Sequence, residues 1–528
     1  MLFRSLDGLP LAIELAAARI KLLPPQTMLA RLESRLKLLT GGARDLPARQ
    51  QTLKAAMDWS YELLDTGEKT LFRRISVFVG GCSLEAAEAV SNAGGDLEVD
   101  LLDGLASLAD KSLVRQQEQE KGKARILMLE TIREYAMEGL NASGESEAVR
   151  HRHGGYYLAQ AEAASEKLDG PEQSIWLDRL ESEHDNLRAA LDWLNKSSET
   201  EAALRLAGAL WQFWEVRGYL AEGRQRLARV LSLAGASARS NAYMKALYAA
   251  GFLADVQGDY AAARAIFERN LAIHRQLGDK RAIAASTNNL GVVALRQGDY
   301  AAARALYEES LAIYREFGVK TAVASSLNNL GHLALCQSDY AAARSLYEES
   351  LAISRELGDW RNVAWSFNNL GDVAREEGDP QGARSLYEQS LERFKQFDDK
   401  AGIARCLCDL GNVACDGGDF AAARSLHQES LVIFGQLGDK QGIARVLEAL
   451  VGLAAAQAEP ERGLRLAGAA CAVREALGAP LAPAERHRLE RKLAGVRQAL
   501  SEAAVTTAWA EGHSMTLERA MEYALQPD

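Results

Sequence analysis

Hydrophobic and polar positions in the second half of the chain repeat with a period of 40 residues. Within one period, apolar residues recur at helical spacing from Ala282 to Gln297 and again from Tyr300 to Phe317. Gly298 suits the left-handed residue that ends the first helix, and Asp299 suits the N-cap of the second. Each period therefore predicts two antiparallel helices. The glycine inside the first helix recurs at Gly251, Gly291, Gly331, Gly371 and Gly411.

One helix pair cannot bury its apolar face, but stacked pairs share a continuous core and form a concave surface. Leu290-Gly291, Ala303 and Tyr307 stand at spacings that resemble the tetratricopeptide repeat, and the 40-residue length resembles the longer repeats of kinesin light chains. We therefore predict a mainly all-α fold, an α-solenoid of antiparallel helix pairs. The predicted solenoid covers 203–480, with clear units over 251–450, and capping helices follow over 481–528.

Variation between the repeats is concentrated on one stripe of the first helix. The residue after the recurring glycine is Phe252, Val292, His332, Asp372 or Asn412, whereas Ala294 and its counterparts do not change. In tetratricopeptide repeats, the resemblance implies, this stripe lines a concave groove that binds a protein or peptide. The predicted groove residues are Asn288, Val292, Leu295, Arg296, Asn328, His332, Leu335, Asn368, Asp372, Arg375, Glu376 and Asn412.

Two explanations of this stripe remain open. The recurring asparagines can both donate and accept hydrogen bonds, so they are able to hold a peptide backbone. Alternatively, they hydrogen-bond to each other between adjacent helices, with duplication explaining their recurrence and relaxed packing explaining the variation beside them.

The first residues carry a different signature. Asp7 to Ile20 contains Gly-Leu-Pro-Leu and resembles the corresponding element of the signalling ATPases called NB-ARC or STAND proteins. This resemblance implies a remnant of a small helical subdomain over 1–45. In an intact ATPase of this kind, Pro10 would contact the nucleotide.

Residues 46–142 resemble a winged helix domain, and 143–202 are similar to the helical linker that bacterial regulatory ATPases of this class place before their repeats. The pattern predicts helices over 51–64, 68–78, 83–90 and 99–109, strands over 112–116 and 124–129, and a helix that starts near Met128. From Gly95 to Leu140, ten acidic residues face six basic ones, which opposes contact with phosphates. We expect a packing domain that does not itself bind nucleic acid.

Composition restricts the remaining possibilities. The formal charge is −11, no apolar run is long enough to span a bilayer, and Arg4, Asp7 and Glu14 interrupt the N-terminal apolar stretch. Six cysteines in so long a chain are too few for a disulfide framework. A cytoplasmic location without membrane contact is the expectation.

The sequence contains no G-x-x-x-x-G-K-[S/T] motif, so no phosphate cradle is predicted and the chain is not expected to be an enzyme. Cys406, Cys408, Cys415 and His427 do not supply a well-spaced zinc site, so neither a metal nor a cofactor is predicted. ATP or ADP would enter only through a nucleotide-binding domain upstream of Met1. Two functions follow: the sensor part of a STAND-type regulator, which also implies the capacity to form homo-oligomers, or a stand-alone repeat adaptor.

Overall fold

The computed structural model describes residues 53–118, 124–168, 172–235, 239–481 and 483–526. These residues fall into two compact units, the first formed by the described parts of 1–161 and 180–202 and the second by the described parts of 162–179 and 203–528. The subdomain predicted for residues 1–45, including Pro10, lies outside the described residues. None of the described helices is both long and apolar enough to cross a membrane.

The first unit is helical with one antiparallel hairpin. Its elements are α1 (Leu53–Glu62), α2 (Thr66–Ile75), α3 (Leu84–Ser91), α4 (Leu101–Asp110), β1 (Arg115–Glu118), β2 (Ala124–Leu127), α5 (Glu130–Ser143), most of α6 (Ser146–Ser165), the end of α7 (Gln173–Ser182) and α8 (His184–Lys196). Most of α7 belongs to the second unit. Strand β1 begins later than the predicted 112–116. The reason is that Ser112 adopts a left-handed conformation with φ of 59°, and Leu113 and Val114 are buried before the strand starts.

Two buried arginines tie this unit together. Arg74 on α2 donates hydrogen bonds to Asp96 at 2.7 Å and to Glu145 at 2.6 Å. Arg125 on β2 pairs with Glu183, which also accepts a hydrogen bond from the Tyr157 hydroxyl at 2.8 Å. Because both guanidinium groups are paired and hydrogen-bonded, their burial is compensated. Their partners connect the hairpin and helices α2, α6 and α8 into one body.

The second unit is a series of helix pairs. Its helices are α9 (Thr200–Ala209), α10 (Trp211–Val216), α11 (Leu220–Ser232), α12 (Asn241–Val256), α13 (Tyr260–Leu277), α14 (Lys280–Arg296), α15 (Tyr300–Glu316), α16 (Lys320–Cys336), α17 (Tyr340–Leu357), α18 (Trp360–Glu376), α19 (Pro380–Gln396), α20 (Lys400–Asp416), α21 (Phe420–Leu437), α22 (Lys440–Ala456), α23 (Pro460–Leu477), α24 (Pro483–Gln498), α25 (Glu502–His513) and α26 (Leu517–Leu525). This arrangement confirms the prediction of a mainly all-α solenoid of antiparallel pairs.

The predicted helix signals act as expected. Gly298 has φ of 81°, and the Asp299 side chain accepts a hydrogen bond from the backbone N–H of Ala302 at 3.1 Å. The observed helices α14 and α15 match the predicted ranges to within two residues at each end. Local capping chemistry therefore sets the boundaries of each pair.

Within each pair, the recurring glycine lies directly against an aromatic ring. A Cβ atom on Gly331 would stand 2.6 Å from Cε1 of Tyr347, whose side chain is buried. A second contact joins the same two helices: the Ser350 hydroxyl donates to the Ala324 carbonyl at 2.9 Å. The glycine and the ring recur in the five pairs from α12 to α21, and the serine recurs in four of them, since Asn270 takes its place in the first. Close approach of the two helices is therefore built into each of these pairs.

Neighbouring pairs are joined by a recurring arginine. Arg304 donates to Gln337 at 2.9 Å, and Arg424 donates to Gln457 at 2.8 Å. The equivalent of these glutamines beside Arg384 is Gly417, which has no side chain to accept the bond. Arg384 is exposed and makes no hydrogen bond with any described residue.

The solenoid returns on itself within the second unit. Gln257, at the end of α12, donates to the Leu477 carbonyl at the end of α23 at 3.4 Å. The ammonium group of Lys440 lies 5.7 Å from the centre of the Tyr219 ring. Early and late pairs therefore meet, and residues of the intervening first helices line the space inside.

We predict that Gly331→Ala destabilises the protein, because the added methyl group would overlap the buried Tyr347 ring. Overpacking of this kind costs about 1–3 kcal/mol of unfolding free energy. Urea unfolding followed by circular dichroism measures the change. Gly495 on α24 is the matched control, because its Cβ would meet no atom within 4 Å. Gly495→Ala should stabilise by about 0.5–1 kcal/mol, and an equal effect of both substitutions would contradict the close-approach argument.

One pair contains a histidine where three others have tyrosine and one has phenylalanine. His427 is fully buried against Gly411, and neither ring nitrogen has a hydrogen-bond partner among the described residues. Burial, with a further contribution from the charge of Lys492, lowers the pKa of His427 to about 4. The unfolded chain therefore binds this proton more tightly than the folded protein does.

We predict that this pair loses stability in acid. In the folded protein the pKa of His427 lies below its ordinary value of about 6.5. The contribution of the neutral imidazole to the unfolding free energy is therefore fully present above that pH. Up to about 3 kcal/mol of it is lost as the pH falls toward 4. His427→Tyr, which restores the residue of three other repeats, removes this loss. Urea unfolding at several pH values should show the variant gaining on the parent protein below pH ~6.5. A difference that does not change with pH would contradict the prediction.

Candidate peptide-binding groove

Six of the predicted groove residues line one cavity of about 520 Å³ in the second unit. They come from the last turns of three consecutive first helices, α16, α18 and α20. The six are His332, Leu335, Asp372, Arg375, Glu376 and Asn412. The variable positions of these repeats are thus brought together on the inner face of the solenoid.

A second cavity of about 410 Å³ adjoins the first. Arg296 is the predicted groove residue that lines it, together with Asp255 and Tyr260. Both cavities share four residues, Arg405, Arg445, Arg474 and Glu485, which stand where the two spaces meet. The inner face is therefore lined mainly by charged and polar side chains.

The recurring asparagines occupy a different position from the variable residues. Asn329 donates to the side-chain oxygen of Asn288 at 2.9 Å, and Asn368 donates to Asp409 at 3.1 Å. Both bonds run between the first helices of neighbouring pairs, as the second explanation of the stripe expects. Asn328 keeps a buried side-chain oxygen without a hydrogen-bond partner among the described residues.

Two further predicted residues serve the core. Val292 and Leu295 are partly buried and pack against the cluster formed by Tyr307, Leu327 and their neighbours. At these two positions the predicted stripe is therefore largely a packing surface.

Charged groups in the first cavity perturb one another. Burial, reinforced by the negative charge of Asp409, raises the pKa of Asp372, which accepts a hydrogen bond from the Tyr387 hydroxyl at 2.6 Å. The His332 side chain is exposed to the cavity, and partial desolvation by the surrounding helices, together with the Arg296 charge, lowers the pKa of His332 below its usual range. An uncharged imidazole can accept or donate one hydrogen bond to a ligand.

The opposite wall of the cavity was not predicted from the sequence. Helix α24 contributes Glu485, Arg488 and Lys492 to the lining, and Arg488 stands 3.7 Å from Glu376. The buried side chains of Leu493 and Val496 anchor the helix, which contacts α22 and α23. The helix was predicted to cap the solenoid, whereas its charged residues also line the interior.

Arg405 and Arg445 were missed as well, although the sequence carried a signal. They stand three residues before the asparagine position, so they extend the same stripe by one helical turn. Their equivalents in the other repeats are Lys245, Ala285, Ser325 and Trp365, which differ as much as the predicted groove positions do.

The cysteines singled out from sequence are packing residues in the described structure. Cys406 and Cys408 are buried, and burial raises the pKa of each thiol to about 12. A separate group of potential metal ligands, Cys471, Glu475 and His513, joins α23 to α25. Here Glu475 binds the thiol at 3.3 Å and the imidazole at 2.8 Å. These hydrogen bonds account for the grouping.

Comparison with protein families identifies two of the elements described above. Residues 242–316 and 322–396 match a tetratricopeptide repeat family, and residues 64–141 match a winged helix-turn-helix domain family.

Relatives cover part of the chain. A candidate HTH-type transcriptional regulator of Mycobacterium tuberculosis is 45% identical over 221 residues, which are 42% of this chain and 25% of that protein. An uncharacterised protein of the same organism is 43% identical over 151 residues, 28% of this chain and 38% of that protein. The chain thus spans about a quarter to two fifths of the length of these relatives.

Two solved structures illustrate the similarity of the chain to known proteins. One is a Signal Transduction ATPase with Numerous Domains (STAND) protein with a tetratricopeptide repeat sensor from Pyrococcus horikoshii, with 16% identity and a TM-score of 0.36 over 82% of this chain and 69% of that one. Another is a Rap protein complexed with Competence and Sporulation Factor, with 11% identity and a TM-score of 0.42 over 68% and 99% of the two chains.

The matched families agree with the geometry of both units, since a hairpin and short helices form the first and helix pairs form the second. The chain therefore carries a winged helix domain followed by tetratricopeptide repeats, and part of it is homologous to HTH-type transcriptional regulators.

Proposed function

We propose that the second unit binds a peptide or protein segment in its inner cavities and serves as the sensor of a STAND-type regulator of transcription. The observation that carries this proposal is the convergence of His332, Asp372 and Asn412, which are equivalent in three repeats, on one cavity. Solenoids of this kind commonly use such a concave face for binding.

Packing does not explain why these three residues differ. The core residues around them are repeated almost without change, and Ala334, Ala374 and Ala414 are all buried. Imidazole, carboxylate and amide groups at equivalent positions offer a ligand three kinds of hydrogen bond. A peptide lying along the inner face would be selected by the order of these groups.

In this proposal, nucleotide chemistry belongs to another part of a longer regulator. The printed sequence has no phosphate-binding motif, so the chain would act by coupling ligand binding to an ATPase domain and to its oligomerisation. A second candidate is an adaptor that uses the groove alone, since the same cavity would serve a ligand without any coupling to an ATPase domain. An in-frame phosphate-binding motif upstream in the gene would decide for the regulator.

The winged helix domain is assigned a packing role in this proposal. The exposed face of α4, which would be the natural helix to enter a DNA groove, carries Asp103 and Asp110 and no basic residue. Lys111, which follows this helix, is paired with Glu68 at 2.9 Å. Phosphate contact requires clustered cations, and this surface offers the opposite charge.

Selection from a random-peptide phage library tests the groove. We expect peptides that bind the parent chain and lose about tenfold or more in affinity when His332 and Asn412 are both changed to alanine, since each loses a ligand contact. Fluorescence anisotropy with the selected peptides measures the affinities.

The matched control is the double variant Glu308→Ala and Glu388→Ala, which removes two exposed side chains from second helices outside the cavities. It should bind as the parent chain does. Peptides that bind all three proteins equally, or the absence of any selected peptide, would remove the basis for the proposal.

A further inference from the structure

We infer that the inner face contains a binding site for an oxyanion group at Arg405 and Arg445, and that the peptide bound there presents a carboxylate to them. This inference rests on the proposed function and specifies its ligand: a peptide with acidic side chains or a free C-terminus.

The two arginines are equivalent residues of consecutive repeats, on α20 and α22, and both line both cavities. Each side chain is only partly buried and opens to the interior. Two guanidinium groups that approach the same space from adjacent helices can offer a ligand several N–H donors at once.

Arg445 makes no hydrogen bond or ion pair with any described residue. Arg405 uses only its Nε, which donates to Asp409 at 3.1 Å, so the described contacts leave its two terminal nitrogens to the cavity. The positive charge of Arg405 is the largest cause that lowers the pKa of Arg445, followed by burial. Two like charges held together in a partly desolvated space favour the arrival of an anion.

Lys492 on α24 adds a third cation from the opposite wall. It is partly buried and has no hydrogen bond or ion pair with the described residues, and burial together with the charge of Arg375 lowers its pKa. Gly452 leaves space for the ammonium group of Lys492, because a Cβ on Gly452 would stand 2.9 Å from Nζ of Lys492.

The carboxylates nearby are already engaged. Asp409 accepts hydrogen bonds from Asn368 and from Arg405. Glu448 forms a bidentate ion pair with Arg474, accepting one hydrogen bond on each carboxylate oxygen. Glu485 also lines the cavity, and its charge acts on Arg445 in the stabilising direction without a hydrogen bond between the two. No described carboxylate therefore binds the Arg445 guanidinium directly.

Other cationic side chains of the inner face already have carboxylate partners. Arg375 binds Asp416 at 2.6 Å, and Arg488 stands 3.7 Å from Glu376. A carboxylate matches the planar fork of a guanidinium through two parallel hydrogen bonds, which a lysine or a neutral donor cannot reproduce. The pair of arginines is thus suited to a carboxylate, and a phosphate would satisfy the same donors.

The experiment measures binding of two probes, a short polyglutamate peptide and inorganic phosphate, by isothermal titration calorimetry on the full chain. Three proteins are compared: the parent, Arg445→Met, and the control Arg384→Met. The control also removes an arginine without a described partner, but on an outer helix. We expect polyglutamate to bind the parent and the control equally, and Arg445→Met about tenfold or more weakly.

The salt dependence gives a second readout, since an ionic contact weakens as ionic strength rises. If phosphate binds with the same dependence on Arg445 and polyglutamate does not, the oxyanion site stands and its ligand carries phosphate. If neither probe distinguishes the parent from Arg445→Met, or if neither probe binds, the inference is overturned.

Two further measurements distinguish failure of the oxyanion site from misfolding and from failure of the proposed function. Arg445→Met removes no hydrogen bond and relieves a like-charge contact, so its thermal midpoint should equal or exceed that of the parent. Library-selected peptides that depend on His332 and Asn412 but bind Arg445→Met normally would refute the oxyanion site and leave the groove intact. If no peptide depends on His332 and Asn412 while polyglutamate still depends on Arg445, the proposed function fails and the oxyanion site stands alone.

Discussion

The contact between a first-helix glycine and a second-helix aromatic ring is the constraint on which the solenoid depends. In the pair formed by Gly371 and Tyr387, a Cβ would lie 2.6 Å from the ring, so no other residue fits without movement. The contact fixes the rotation of both helices and thereby decides which residues are buried. The stripe beside this contact carries His332 and Asn412 to the cavity, and it is along this stripe that the repeats vary.

Much of the repeat fold could be predicted because its causes are local. Gly298 and Asp299 end one helix and start the next through their own backbone and side-chain chemistry, so the helix limits follow from the sequence. The path of α24 has long-range causes. Its contact with Glu376 joins residues far apart in the chain, and its apolar positions are equally compatible with a simple cap. The late start of β1 has a similar origin, since Leu113 and Val114 are drawn into the core before pairing begins.

The candidate site shows the same division between local and distant causes. The sequence located His332, Asp372 and Asn412, which the structure places at one cavity, because variation against a constant core is visible in the repeats themselves. It did not separate the two roles open to asparagine, and the bond from Asn368 to Asp409 depends on how neighbouring pairs are staggered. The role of Arg445 could not be predicted for another reason: whether a partner lies beside its guanidinium group depends on how the surrounding helices pack.

The cationic side chains of the inner face contrast with the acidic composition of the chain as a whole. With a net charge of −11, the protein repels anions at long range, and a cluster of cations on its outer surface would be screened by salt. Arg405, Arg445 and Lys492 instead lie in a partly enclosed space, where the effective dielectric is lower and charges interact more strongly. A ligand that reaches them must pass the acidic exterior, so specific contacts along the groove have to accompany its charge. This combination favours a peptide whose carboxylates and groove contacts act together.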